Sequence, residues 1–177
     1  MVVDSLREVA VDILEQIMNE RREAVAETQK AVPVEALRER AADRVHHCLV
    51  DALNGAGTAI VAEVKKASPS AGMLRPDYDP GAMAAIYEAN GACGISVLTE
   101  PKHFLGSAAH LEAVRSAVSL PVLRKDFMCD PYQVAEAAAW GADVILLIVA
   151  ALDDDLMWTL YEAARELGLD VLVESHN

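Results

Sequence analysis

Apolar residues recur at steps of three and four near the start of the chain. Leu6, Val9, Ile13 and Ile17, flanked by Leu14 and Met18, form one stripe, and Glu and Arg fill the opposite face. That period predicts one amphipathic helix over residues 4–30. Pro33 ends it or begins the next element. Residues 34–53 read as a second helical region, closed by the Asn54-Gly55 turn signal. From Thr58 the texture changes to short β-branched runs alternating with Ala-rich stretches. These predict strands at 59–64, 94–98, 121–125, 144–149 and 171–174, with helices at 79–90, 108–118, 131–140 and 153–167. Pro80 and Pro131 occupy first helical turns, and Gly91, Gly141 and Gly168 follow last turns. The triplet Asp153-Asp154-Asp155 reads as an N-terminal cap that offsets the helix dipole, in preference to a metal site.

Alternating strands and helices require a parallel sheet with right-handed crossovers. An open doubly wound sheet and a closed barrel both satisfy that order. No GxGxxG or Walker loop follows the first strand, which counts against a nucleotide-binding sheet. The pattern divides the chain into a helical extension, residues 1–57, and a β/α region, residues 58–177.

Composition narrows the class further. Hydrophobic residues make up 53% and aromatics only 5%, so the core is mostly Ala, Val, Leu and Ile, as in layered α/β proteins. A net charge of −13 repels nucleic acid and anionic membranes. An anionic small substrate then needs local positive charge, which Lys65, Lys66, Arg124 and Lys125 supply. The longest apolar run, Val144 to Leu152, is too short to span a membrane, and the N-terminus has no basic signal region. Cys48, Cys93 and Cys129 show no CxxC or Cys/His metal spacing and read as reduced thiols of a cytoplasmic protein. His46-His47-Cys48 would lie on the second helix, where adjacent side chains point about 100° apart and chelate poorly. No metal is expected there.

Strands of a parallel sheet are covered on both faces, so charges within them need a reason. Glu63 and Lys65 are two apart and share one face of the first strand. Lys125 ends the third strand and Glu174 the fifth. Four ionisable groups thus meet at the carboxyl ends of three strands, the rim where barrel enzymes place their chemistry. A self-neutralising buried Glu–Lys pair is the plain structural alternative, but such pairs stabilise poorly. Arg124 alternates to the opposite face, toward outer helices or an acid there. The Lys66-Ala67-Ser68-Pro69-Ser70-Ala71-Gly72 loop offers hydroxyls and N–H groups to an anion, although Ser-Pro-Ser also describes an ordinary turn.

Several of these segments carry a family resemblance. Ala62-Glu63-Val64-Lys65-Lys66-Ala67-Ser68-Pro69-Ser70 resembles the first-strand signature of indole-3-glycerol-phosphate synthase. Ser96-Val97-Leu98-Thr99-Glu100 with Phe104 and Gly106-Ser107 is similar to its second strand and loop. Pro121 to Phe127, Gly141 to Val149 and Leu172-Val173-Glu174 resemble its third, fourth and fifth. Residues 4–53 resemble its N-terminal extension, which packs over the barrel mouth.

The resemblance implies a (β/α)8 TIM barrel with an N-terminal helical extension, ending here after the fifth strand. It implies a cofactor-free, metal-free carboxy-lyase of tryptophan biosynthesis. Its substrate is the phosphorylated anthranilate–ribulose adduct 1-(2-carboxyphenylamino)-1-deoxyribulose 5-phosphate, which undergoes ring closure, decarboxylation and dehydration. Lys125 would be the general acid at the ketone, a role that suits a lysine whose proton is loosened by burial and by a neighbouring cation such as Lys65. Lys65 would hold anionic groups of the substrate and share proton transfer. Glu174 would be the general base or stabilise the cationic ring intermediate, and Glu63 would orient the lysines and substrate hydroxyls. Ser68 would bond the substrate, and Phe104 would wall the anthranilate ring. The family's sixth-, seventh- and eighth-strand motifs, including most of its phosphate site, are absent, and Ser175-His176-Asn177 departs from its usual ending. A full barrel takes about 250 residues. The 177-residue chain is therefore expected to be weakly active or inactive alone, and to self-associate or pair with a C-terminal segment through open sheet edges. Two other readings stand beside this one. One is a non-catalytic half-barrel that assembles with a partner, and the other is a phosphosugar aldolase using Lys125 or Lys65 as a Schiff base.

Overall fold

The structure, a computed structural model, describes residues 2–55 and 57–175, with side chains from residue 13 onward. Leu6 and Val9 of the amphipathic stripe, and His176 and Asn177, lie outside the described side chains. A long helix α1 (Val2–Ala31) is followed by α2 (Val34–Ala41) and a short α3 (Leu49–Leu53). The β/α region follows, comprising β1 (Val61–Val64), a small hairpin of β2 (Ala67–Ser68) and β3 (Gly72–Met73), α4 (Pro80–Ala89), β4 (Gly94–Leu98), α5 (Ala108–Ala117), β5 (Val122–Lys125), α6 (Pro131–Ala139), β6 (Val144–Ile148), α7 (Asp154–Glu166) and β7 (Asp170–Glu174). The five longer strands form one sheet in the order β1-β4-β5-β6-β7, every pair parallel. Sequential strands are therefore neighbours throughout, as in successive units of a (β/α)8 barrel and unlike a doubly wound sheet, whose order reverses.

The helix starts follow the expected chemistry. Asp79 accepts from Ala82 N at 2.9 Å ahead of Pro80. Asp130 and Gln133 form a capping box around Pro131. Asp153 accepts from Leu156 N at 2.8 Å, so the acidic triplet is a cap. Gly91, Gly141 and Gly168 take positive φ after α4, α6 and α7, where a Cβ is strained.

Register divides the side chains between two faces. Val64, Ile95, Val97, Val122, Ile145 and Leu147 pack outward on α4–α7 through Ala84, Leu111, Val114, Val134, Ala137 and Leu160. Leu123, Val144, Leu146 and Ile148 face the other way, with Leu49 of α3 closing the bottom of that inner layer. α1 crosses the carboxyl end of the sheet, and Ile17, Met18 and Val25 are buried there.

Two expectations change. The predicted second helix breaks, because residues 42–48 form a turn and then an extended segment between α2 and α3. His46-His47-Cys48 is therefore not helical, and the geometric ground for dismissing it as a chelate does not hold. Arg44 explains the break. From the extended segment its guanidinium donates to the carbonyls of Ala142, Leu167 and Gly168, contacts that a continuing helix would not reach. The second change lies in the 66–72 loop, which contains the β2–β3 hairpin, with Leu74 N bonded to Lys66 O at 2.9 Å.

Candidate active site

The parallel register decides which side chains can meet. Glu63 pairs with Ser96, Ser96 with Leu123, and Leu98 with Lys125. Residues level with one another in a parallel pair point to the same face. Glu63, Ser96, Leu123 and Lys125 therefore share the inner face, and Lys65, two beyond Glu63, joins them. Leu123 is level with Val144, and Ile148 with Glu174, so Glu174 lies on the inner face as well, two strands beyond Lys125. All four candidate residues sit at the carboxyl rim.

Three of them form one hydrogen-bonded cluster. Lys65 Nζ donates to Glu63 Oε1 at 2.7 Å, and Lys125 Nζ donates to Glu63 Oε2 at 3.0 Å. One carboxylate thus bridges two ammonium groups across β1, β4 and β5. The three side chains remain 28–37% exposed, open enough to meet a ligand. Burial pushes the Glu63 carboxyl up, but the two lysine hydrogen bonds outweigh it and hold it below its ordinary 4.5. Glu174 is half-buried at the last position of β7.

The loops after β4 and β5 form the wall. Glu100 is buried, and its carboxylate accepts from the N–H groups of Lys102 at 2.9 Å, His103 at 2.6 Å and Phe104 at 3.0 Å. This folds the loop so that Phe104 lies 6.1 Å from Phe127, ring to ring. Gly106 closes the loop against β4, where a Cβ would come within 2.4 Å of Leu98 O, so no larger residue fits. Ser68 lies in the β2–β3 hairpin, its Oγ accepting from Ala71 N at 3.2 Å.

Arg124 lies on the outer face, as alternation predicts, and is fully buried. It donates to Thr99 Oγ1, Gln133 O, Asp126 and Glu136, and stacks 4.1 Å above the Trp140 ring. Asp126 also takes Thr99 Oγ1 at 2.8 Å and Arg21 Nη2 of α1 at 3.0 Å. The neighbouring Glu20 binds Lys102 Nζ and His103 Nε2, both at 2.6 Å. Consecutive residues of α1 therefore hold the two loops that flank the cluster. Sequence reading missed this clamp. Its partners are separated by 105 positions for Arg21 and Asp126, and nothing local marks them. Ser96 belongs to the second-strand motif but carried no expected role, although its buried Oγ faces the site without a hydrogen-bond partner among the described residues.

These features define a β/α-barrel architecture with an ionisable cluster at the carboxyl rim of its strands. The family model for indole-3-glycerol phosphate synthase matches residues 14–177, and the chain belongs to that family. Indole-3-glycerol phosphate synthase of Laribacter hongkongensis (strain HLHK9) is 48% identical over 171 residues, 94% of this chain and 65% of the relative. That of Burkholderia ambifaria (strain MC40-6) is 51% identical over 170 residues, with the same coverage. The chain thus spans 65% of the length of these curated relatives. Among solved structures, a mandelate oxidase variant with (S)-mandelic acid superposes with a TM-score of 0.51 at 16% identity, over 72% of this chain and 45% of that one. A mandelate oxidase variant with benzaldehyde gives 0.50 at 15% identity, over 73% and 45%. At that identity the likeness concerns the fold alone.

Proposed function

We propose that this chain carries the acid–base half of an indole-3-glycerol-phosphate synthase site, acting on 1-(2-carboxyphenylamino)-1-deoxyribulose 5-phosphate. The observation that supports it is the Glu63 carboxylate bridging Lys65 and Lys125 at the rim. Ring closure needs a proton delivered to the ketone oxygen as the anthranilate ring carbon attacks, and the Lys125 ammonium supplies it. Lys65 binds the anionic groups of the substrate and shares proton transfer. Glu63 fixes both ammonium groups and orients substrate hydroxyls, so that neither lysine must reorganise during the step. Glu174, on the same face, stabilises the cationic ring intermediate until carbon dioxide leaves, or takes the proton released from the new ring as the hydroxyl, protonated by a lysine ammonium, departs as water. Phe104 with Phe127 walls the aromatic ring, and Ser68 bonds the substrate from the hairpin.

The phosphate end falls to loops beyond the five strands. Binding energy from that remote group supports the chemistry at the reacting carbon. The 177-residue polypeptide alone is therefore nearly inactive, and activity appears when the rest of the barrel is supplied. Ile60, Val61, Leu172 and Val173 are exposed on or beside the outermost strands and form the surface that such a segment, or a second copy, would cover. Residues 1–57 serve as the helical extension and 58–177 as the barrel portion. The three free thiols, Cys48, Cys93 and Cys129, suit the reducing cytoplasm, and no described helix is long and apolar enough to cross a membrane.

The test is formation of indole-3-glycerol phosphate, followed by its fluorescence, with the chain alone and with the C-terminal third of the Burkholderia ambifaria relative added in trans. Turnover only in the mixture is expected. Absence of product in a mixture that forms a folded complex would contradict the assignment.

A further inference from the structure

The extended segment before α3 runs past the amino-terminal end of the sheet, opposite the lysine–glutamate cluster. Cys48 has φ −69° and ψ 119°, and alternation in an extended segment puts His46 and Cys48 on the same side. That side meets Asp170, the first residue of β7. The donor atoms of His46, Cys48 and Asp170 all lie within 4.8 Å of one another, and His46 Nε2 is 3.6 Å from Asp170 Oδ2. We propose that His46, Cys48 and Asp170 form a binding site for a divalent transition-metal ion of the zinc type.

A tetrahedral ion with bonds of about 2.0 Å to nitrogen and oxygen and 2.3 Å to sulfur separates its donors by roughly 3.3 Å for a nitrogen–oxygen pair and 3.5 Å for a pair that includes the sulfur. The His46–Asp170 edge, at 3.6 Å, lies within about 0.3 Å of that figure. The remaining closure, at most about 1.3 Å, falls within reach of side-chain rotation, because His46 is exposed. The donor set of imidazole, thiolate and carboxylate selects zinc-like ions over magnesium or calcium, which take oxygen ligands. With Cys48 deprotonated, the three ligands carry two negative charges and balance a divalent ion, leaving a fourth position for water. Binding releases the Cys48 thiol proton.

A second observation points the same way. His46 Nδ1 lies 3.6 Å from Asp143 Oδ1, on the side of the ring away from Asp170. At 3.6 Å the two make an ion-pair contact rather than a hydrogen bond, and a small ring rotation as the ion binds brings the buried carboxylate within reach of the distal nitrogen, where it fixes the tautomer and strengthens the donor. Asp143 is fully buried and itself held by His47 N, Val122 N and Arg115 Nη1 at 2.8–2.9 Å. Asp170 is oriented as well, since its Oδ2 accepts from Leu49 N at 2.8 Å, which sets it beside Cys48. Arg115 and Arg44 are the opposing charges, 2.8 Å and 3.8 Å from Asp143, but the first is also bonded to the carbonyls of Val118 and Leu120 and the second to those of residues 142, 167 and 168. An ion here would fasten the α2–α3 connection to β7. Side chains at this end of a barrel serve stability rather than chemistry.

The test titrates the chelator-stripped 177-residue chain with cobalt(II), then displaces it with zinc, and needs no activity. One equivalent of cobalt should give a thiolate-to-cobalt charge-transfer band in the near ultraviolet. That band should persist in a C93S/C129S double variant and vanish in C48S. H46A should weaken zinc binding by more than the roughly 10- to 100-fold that loss of an outer-shell partner costs, and shrink the rise in Tm that zinc gives the parent. His46 is exposed, so H46A should keep the parent's circular dichroism and remain interpretable. Absence of the band in the parent, its loss in C93S/C129S, or unchanged zinc affinity in H46A would overturn the proposal.

Discussion

Glu63 is legible from the sequence because a charge inside a parallel strand has few structural excuses, and parity alone puts it on the face of Lys65. Its electrostatics follow from the structure. The two lysine hydrogen bonds hold it below 4.5 in the folded chain, so its contribution to stability is present above that pH and is lost as pH falls through the folded value. Replacing Glu63 with Gln keeps the shape and removes the charge between two cations. In the complemented assay, E63Q should lower kcat on the order of 10²-fold, and an unchanged kcat would show that the bridge is only structural. Arg124 presents the opposite case. Alternation predicts that it leaves the site, and it holds Asp126 and Glu136 in a buried network. R124M should cost about 3–5 kcal/mol in urea denaturation, because two buried carboxylates lose their partner. A loss under about 1 kcal/mol would mean that water reaches that network.

At the scale of elements, caps and period marked nearly every helix and strand, because Asp–Pro starts, Gly ends and alternating apolar runs are local signals. The break at 42–48 was not local. It depends on Arg44 reaching carbonyls roughly a hundred positions away, which no window of sequence contains. The α1 clamp was hidden for the same reason. Amphipathicity showed that α1 packs, but not that Glu20 and Arg21 hold the loops at 100–106 and 126–130. R21A removes a charged hydrogen bond worth about 1.5–3 kcal/mol. It should also speed amide hydrogen exchange in both loops while leaving β6 and β7 unchanged. Uniform protection across the loops would show that α1 does not position them. Gly106→Ala adds a Cβ 2.4 Å from Leu98 O. It should destabilise by about 1–3 kcal/mol and displace Phe104, read as a rise in KM with a smaller change in kcat.

Across the whole molecule, the titrating groups point to one pH profile. Hydrogen bonds from Lys102, Gln16 and His103 hold Glu20 at about 2, and that contribution is lost as pH falls from 4.5 toward that value. Burial lowers His110, so stability also falls as pH drops below 6.5, where the unfolded chain gains a proton that the folded chain resists. Burial pushes Cys129 up to about 11 and, with the Glu63 charge adding to it, Tyr78 up to about 12. Both favour the folded state below their ordinary values of 9.0 and 10.0 and lose that advantage as pH climbs past them. Tm should therefore be highest between about pH 6.5 and 9 and fall on both sides, and a maximum near pH 4 would contradict these assignments. Strand order and the rim were readable because each β/α unit repeats one local pattern. The inner-face partnership of β1 and β5 across β4 needed the register. That partnership is tested most directly by the rate of indole-3-glycerol phosphate formation in the complemented chain with Lys125 replaced by Met. A fall of at least about 10²-fold, with the complex still assembled, is the expected result, and a rate equal to the parent's would contradict the account.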